Sequence, residues 1–270
     1  MEFKPRKGLG QHFLKDSSVA DRIVRFVDAR ENDRIVEIGP GTGALTIPLA
    51  KKWADIHAFE VDQRAVEVLK RSCPGVTVYP YSFLDADFQK LQSGVDGDII
   101  IVGNLPYYLT SPILFRVFDH GSFFKQAVFM IQKEVAERLT ARPRTKAYGI
   151  LSVQAQVFGR PEILFTVPPD VFYPPPKVVS AVISYRPGSH AFPGSIDDLP
   201  VGLDSFKSVV RTAFQQRRKK LINSLKSLFG SQFPDGFDAG RRAEELEPDE
   251  FVSLAAWYEK SGIPTRGKSG

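Results

Sequence analysis

From about Ser17 to Arg186, short apolar runs alternate with stretches of helical periodicity. Asp16-Ser17-Ser18 can cap a helix whose apolar face holds Val19, Ile23, Val24 and Val27. Ile35 to Ile38 predicts a first strand running into a glycine turn, and Leu45 to Lys52 a helix with Pro48 in its first turn. Ile56 to Glu60 and Val76 to Tyr79 predict two more strands, with Asp62 capping the helix between them. Asp98 to Val102 is a fourth strand, apolar enough to be buried on both faces, and Ala127 to Ile131 is a fifth. Pro112 is expected as the first residue of a helix through Phe118. Lys133 to Leu139 and Tyr148 to Phe158 also read as helices, and Ile163 to Val167 with Val178 to Tyr185 as a closing strand pair.

Regular alternation of strand and helix implies an α/β fold with a doubly wound sheet. Such sheets bind ligands beyond the carboxyl ends of their strands, near the point where strand order reverses. The Pro/Gly/Ser-rich stretch 187–200 reads as a linker, and Leu203 to Ser261 is helical only. The expected organisation is a main domain over 1–186, the linker 187–200, and a small helical domain over 201–270.

Composition narrows this picture. With 270 residues, 43% of them hydrophobic, the chain can bury a substantial core, and no apolar run approaches the roughly 20 residues of a bilayer span. The basic start, Met1 to Lys7, has no apolar run behind it, so no signal peptide is expected. The single Cys73 excludes an internal disulfide and a cysteine-rich metal cluster, and His12, His57, His120 and His190 have no ligand-like spacing. A soluble, cytoplasmic, metal-free protein is expected.

The net charge of +5 is a weak sign of an anionic partner, but its distribution is stronger. Lys207, Arg211, Arg217, Arg218, Lys219, Lys220 and Lys226 lie between Ser205 and Pro234, a span without an acid. Lys4, Arg6, Lys7 and Lys15 form a second cluster, and Arg142, Arg144 and Lys146 a third. The acids gather elsewhere, at Glu244, Glu245, Glu247, Asp249 and Glu250. Three clusters of one sign are the footprint of nucleic-acid binding. Arg241 and Arg242 suit either that role or local pairing with acids.

Two motifs carry chemistry. Glu37-Ile38-Gly39-Pro40-Gly41-Thr42-Gly43 follows the first strand, with Glu60 at the end of the second, where a carboxylate can accept both hydroxyls of a ribose. Gly39, Gly41 and Ala44 also match the dinucleotide pattern, so NAD is an alternative. Glu37 would repel a pyrophosphate but suits a cationic, phosphate-free ligand such as S-adenosylmethionine. Asn104-Leu105-Pro106-Tyr107 follows the fourth strand. An exocyclic adenine amine is a poor nucleophile because its lone pair is delocalised into the ring. The Asn104 oxygen with a backbone carbonyl from Leu105 or Pro106 could accept its two N–H groups and favour a pyramidal nitrogen, while Tyr107 offers a face to the base. Phe172 or Tyr173, in the proline loop 168–177, is a candidate second stacking surface.

Together these segments resemble the ribosomal RNA adenine N6,N6-dimethyltransferases, the small-subunit enzymes associated with kasugamycin sensitivity. The resemblance runs from Lys7-Gly8-Leu9-Gly10-Gln11-His12-Phe13-Leu14 through the two motifs and Phe172 to Ser180, and reaches Phe214 to Lys219 with Asn223. It implies a Rossmann-like class I methyltransferase sheet followed by a small all-helical C-terminal domain, with S-adenosylmethionine as cofactor. Gln11, His12, Leu14, Gly39, Gly41, Glu60, Ser82 and Asn104 would hold that cofactor. Asn104, Leu105, Pro106, Tyr107 and Phe172 would form the catalytic centre, with Tyr107 and Phe172 sandwiching the adenine. Arg211, Arg217, Arg218, Lys219 and Lys220 would bind RNA. The implied reaction dimethylates two adjacent adenosines in the 3′-terminal hairpin of small-subunit ribosomal RNA on the immature subunit, by a monomer with no membrane partner. Ser82 departs from the family pattern, which has an Asp there for the cofactor's adenine amine; Asp85 and Asp87 are nearby substitutes. Alternatives are a large-subunit enzyme of the macrolide-resistance type, a non-catalytic assembly factor and an NAD-dependent oxidoreductase.

Overall fold

The computed structural model describes residues 5–6, 8, 10–188 and 199–263. The chain parts into two compact units, with boundaries at Ala136/Glu137, Gly159/Arg160 and Pro187/Gly188. Residues 137–159 thus belong with the helical unit, whereas the sequence pattern places them in the main domain. Most of the expected linker, 189–198, lies outside the described residues.

The first unit is built on the order β1 (Phe13–Leu14), α1 (Ser17–Arg25), β2 (Arg34–Ile38), α2 (Thr46–Ala50), β3 (Ile56–Phe59), α3 (Gln63–Ser72) and β4 (Thr77–Tyr79). It continues with α4 (Phe88–Gln92), β5 (Ile99–Asn104), α5 (Thr110–Asp119) and β6 (Gln126–Gln132). After α6 (Lys133–Leu139) and α7 (Ile150–Phe158) come β7 (Gly159–Val167), β8 (Phe172–Tyr173) and β9 (Ser180–Pro187). The main sheet has the order β4-β3-β2-β5-β6-β9-β7, with β2 to β6 parallel and β9 antiparallel to β6. Strand order reverses between β2 and β5, so Gly39 and Asn104 emerge side by side at the carboxyl edge.

Local chemistry accounts for these elements. Asp16 and Asp62 cap α1 and α3, their side chains accepting the N–H groups of Ser18 and Arg64. Every residue of β2 is buried, as are Ile99 to Gly103 of β5, which is the continuous apolar run of a strand covered on both faces. Ala20, Ile23 and Val24 of α1 and Leu49 of α2 pack with Ile35, Ile56, Ile100 and Val128 in one core cluster. Helix α5 starts at Thr110, so Pro112 is its third residue, still within the turn where a missing N–H costs nothing. The second unit holds α7 with α8 (Leu203–Gln215), α9 (Leu221–Ser224), α10 (Lys226–Phe229) and α11 (Pro248–Lys260). Phe158 meets Phe206 edge-on and Phe214 stacks on Phe251 within it. Among the described residues no helix is long and apolar enough to cross a membrane, and no group of side chains is placed to hold a metal ion.

β2 and β5 approach closely at the switch point. A Cβ on Gly103 would lie 2.7 Å from the Ile38 carbonyl oxygen and 3.1 Å from Leu105 Cδ2. Backbone cannot yield as a flexible side chain would, so Gly103→Ala is expected to lower stability by about 1–3 kcal/mol, as overpacking does. Urea unfolding checks this; an unchanged midpoint would show that β2 and β5 can part at no cost.

Candidate functional site

A cavity opens at the switch point, wholly within the first unit. It gathers Gln11, His12, Leu14, Gly39, Gly41, Glu60, Ser82 and Asn104, together with Leu105, Pro106 and Tyr107. The 10–14 segment reaches it through a pairing that the sequence pattern does not reveal. β1 lies antiparallel to β8, with Leu14 opposite Phe172 and Phe13 opposite Tyr173.

Around the glycine turn, Gly39, Gly41 and Gly43 all have positive φ. The Gly41 N–H donates to Glu60 Oε2 at 3.0 Å, and the Asp62 N–H donates to Oε1 at 2.8 Å. Each carboxylate oxygen is thus fixed by one backbone donor and keeps lone pairs for a ligand. Burial raises the Glu60 pKa, opposed by those two hydrogen bonds. Asp62 is pulled the other way, to about 2, chiefly by the Arg64 guanidinium and also by the Gln11 amide. Glu37 is 1% exposed, and its Oε2 has no hydrogen-bond partner. Burial pushes its pKa up to about 8, against the Thr46 hydroxyl and with help from the Glu60 charge.

At the end of β5 the orientation of Asn104 follows from its partner. Its Nδ2 lies 3.0 Å from the His12 carbonyl oxygen. A carbonyl can only accept, so the amide nitrogen must face it and Oδ1 is left as an acceptor. The Leu105 N–H donates to the Met130 carbonyl at 3.0 Å. The Pro106 carbonyl accepts from both the Leu109 N–H and the Thr110 hydroxyl, which ties the loop onto α5. Tyr107 is half-buried; its hydroxyl lies 2.8 Å from Ser180 Oγ and its ring stacks on His12 at 5.5 Å. His12 Nδ1 lies 2.7 Å from the Pro174 carbonyl, so that nitrogen carries the proton.

One expectation changes, and one open choice is narrowed. Phe172 does not line the cavity: it is 1% exposed and belongs to the core cluster with Leu14 and Val167. Successive strand side chains point to opposite faces, so the exposed ring of this pair is Tyr173, at 48%. Of the positions weighed for the adenine contact, Ser82 lines the cavity and Asp85 and Asp87 do not. Asp87 caps α4, accepting the N–H groups of Gln89 and Lys90. Motif reasoning missed the aromatic wall beside Ser82, where Phe59 stacks on Tyr79 at 4.7 Å and meets Tyr81 and Phe83 edge-on. The run Tyr79-Pro80-Tyr81-Ser82-Phe83 was its visible signal.

In the second unit Arg211, Arg218, Lys219 and Lys220 are exposed. Arg217 is engaged: its Nε donates to Glu244 Oε2 at 2.7 Å and its guanidinium also reaches the Thr145 carbonyl at 3.1 Å. Arg241 pairs with Glu250, so local pairing accounts for it.

The Glu37 carboxyl gives a test of this electrostatic arrangement. Its pKa is about 8 in the fold against an ordinary 4.5, so between these values the folded state keeps a proton that the unfolded chain has released. The stability it contributes is complete below about pH 4.5 and is lost as pH rises towards 8. Glu60 is shifted in the same direction, so Glu37→Gln should flatten, without abolishing, the fall of Tm across this range. Identical pH profiles for the variant and the parent would remove Glu37 as a source.

Comparison with known proteins places this geometry in a family. The family model described as ribosomal RNA adenine dimethylase matches residues 2–260. A relative from Salinibacter ruber named ribosomal RNA small subunit methyltransferase A is 46% identical, covering 97% of this chain and 88% of its own. A solved dimethyladenosine transferase from Plasmodium falciparum superposes with a TM-score of 0.77 at 25% identity, covering 93% of this chain and 99% of that one. The 23S rRNA methyltransferase ErmE gives 0.66 at 24% identity over 92% and 99%, a likeness of fold. The match is continuous across the glycine turn, the Asn104 loop and the basic helical unit, and the chain therefore belongs to the ribosomal RNA adenine dimethylase family.

Proposed function

We propose that this chain transfers methyl groups from S-adenosylmethionine to N6 of two adjacent adenosines in the 3′-terminal hairpin of small-subunit ribosomal RNA, late in assembly of that subunit. The observation that carries the reading is the Asn104 amide. With Nδ2 held by the His12 carbonyl, Oδ1 is the atom available to accept an N–H from a target amine. Because two donors engage the Pro106 carbonyl, the Leu105 carbonyl is the backbone acceptor left for the second N–H. Two acceptors on one amine hold its lone pair out of conjugation and aim it, so catalysis is largely alignment.

The residues present fit the cofactor. When bound, it supplies a methyl group already activated on a sulfonium. A buried carboxyl with an unpartnered oxygen suits its cationic portion, and no phosphate has to approach Glu37. Glu60, fixed by the Gly41 and Asp62 N–H groups, can accept ribose hydroxyls. Ser82 Oγ accepts from the Leu84 N–H at 3.2 Å and has a further lone pair for the adenine amine, with the Phe59–Tyr79–Tyr81 wall beside it. Tyr107, steadied by Ser180 and His12, offers a ring to the target base. The small-subunit substrate is favoured over the large-subunit one by the 46% identity to a small-subunit enzyme, since ErmE shares the fold at 24%.

Methyl transfer from labelled cofactor to immature small subunits, followed by mapping of the modified nucleotides, tests the reading. Asn104→Ala should lower transfer by about a hundredfold or more, while subunit binding survives. No transfer by the parent chain would favour the non-catalytic assembly factor, and undiminished transfer by the variant would exclude the role given to Asn104. Ser82→Asp should tighten cofactor binding in calorimetry, because a charge-assisted hydrogen bond is roughly twice as strong as a neutral one. Unchanged or weaker binding counts against Ser82 as the adenine contact.

A further inference from the structure

We propose that Tyr108 and Tyr173, backed by Val178 and Val179, form a second base-binding surface at the cavity mouth, which holds the nucleobase adjacent to the target adenosine. The inference deepens the reading that this cavity methylates adjacent adenosines in RNA, and it rests on that reading.

Nine large hydrophobic side chains stand exposed among the described residues, and six of them gather at this one edge of the first unit. Val61, Tyr81 and Tyr108 line the cavity itself. Tyr173, Val178 and Val179 belong to the loop that adjoins it. Tyr173 lies opposite Phe13 in the β1–β8 pair, and directly paired side chains project to the same face. Phe13 lines the cavity, so Tyr173 flanks its mouth. The Pro174 carbonyl, next in the chain, holds His12 Nδ1 at 2.7 Å. The Val179 carbonyl accepts the Lys133 N–H, and the neighbouring Ser180 hydroxyl meets that of Tyr107, so both valines lie within two residues of a Tyr107 partner. Tyr108 follows Tyr107 directly, but its ring is 55% exposed and rests on Gly10. A Cβ on Gly10 would stand 3.1 Å from Tyr108 Cδ1, and Gly10 has a φ of +57° that favours glycine. Gly10 and Phe13 are separated by at most about 10 Å of chain, so one short segment supports both tyrosines.

Chemistry and charge identify the occupant. The patch is continuous with the cavity, so an RNA that places one base inside carries the next base over the rings. Extruding an adenosine unstacks it from its neighbour and leaves a purine face without a partner. Exposed aromatic rings supply that partner, as they do for splayed bases in general. Segments 10–15, 104–118 and 171–187, which carry or support the four side chains, contain no Asp or Glu. Lys15 and Lys177 are exposed on them. An acid-free margin with outward lysines suits the phosphates on either side of a base. The carboxyls that line the cavity, Glu37 and Glu60, come instead from the ends of β2 and β3. The mouth is thus divided into a cofactor side and a base side, and the second adenosine is kept at hand while the first reacts.

The test measures affinity of the full chain for a fluorescent RNA hairpin with two adjacent unpaired adenosines, for the same hairpin with one of the two bases removed, and for one lacking both. The single abasic hairpin leaves an adenine for the cavity but none for the rings. The parent chain should bind it roughly tenfold or more weakly than the intact hairpin, as loss of one stacked base requires. In Y108A/Y173A the same change should cost less than about threefold, since the cycle isolates the pairing of ring with base. Y173F should behave as the parent, because stacking needs the ring and not the hydroxyl. The salt slope of the double variant should equal the parent's, as no phosphate contact is removed. A double variant that loses as much as the parent on base removal overturns the proposal, and so does a parent chain indifferent to the single abasic site. Self-association of the parent that Y108A/Y173A abolishes would overturn it in favour of a second copy on the patch. A parent chain that also binds the single and double abasic hairpins equally removes the adenine reading of the cavity as well, so the two failures are told apart.

Discussion

Parallel pairing of β2 with β5 is the interaction on which the rest of the site depends. It sets two strand ends side by side where the sheet order reverses, with Ile38 opposite Gly103. One end supplies a glycine turn, the other a rigid amide. Together they line the cavity at this edge. Their closeness requires Gly103, and the same closeness brings the Asn104 carbonyl within 3.8 Å of where a Cβ on Gly39 would stand. The buried register of two apolar strands thus becomes the spacing between the glycine turn and the Asn104 amide.

Three acids at this edge show how environment divides one functional group into different roles. Asp62 is saturated by Arg64 and Gln11 and stays ionised, acting as a fixed helix cap. Glu60 is half-satisfied, each oxygen holding one backbone N–H, and is rigid yet still able to accept. Glu37 is buried with an unpartnered oxygen and holds its proton to about pH 8, until a cation arrives to favour the charged form. The gradation follows the number of donors each carboxyl meets.

Much of this was legible in the sequence because it rests on local patterns. Continuous apolar runs marked β2 and β5, aspartates before periodic segments marked α1 and α3, and the two motifs lay directly after strands. The rest depends on tertiary pairings that leave little local trace. β1 and β8 are two residues each, too short for a periodicity, yet their pairing carries His12 to Asn104. In Phe172-Tyr173 the sequence offers two neighbouring aromatics of similar character. Only strand register decides that Phe172 faces the core and Tyr173 faces water. Residues 137–159 look like a continuation of the α/β alternation, but the buried Tyr148 donates its hydroxyl to the Leu246 carbonyl and ties them to the helical unit.

Arg217 shows why a basic run cannot be read as a set of equivalent contacts. Four successive cations, Arg217 to Lys220, look alike in sequence, yet one is engaged by Glu244 and Thr145 while three remain outward. Pairing that arginine with Glu244 costs one outward cation but offsets a carboxylate, so the local field becomes more uniform. The two halves of the protein then use polar groups in opposite ways. At the sheet edge the groups that fix the site are held by specific partners, as the Asn104 amide is by His12, so one atom is left pointing where chemistry is needed. On the helical unit the exposed cations Arg218, Lys219 and Lys220 form no ion pair among the described residues, so their charge faces outward. The function proposed above then leaves selection of the adenosine to the amide and the aromatic ring, and asks of the basic face only that the RNA keep its folded shape.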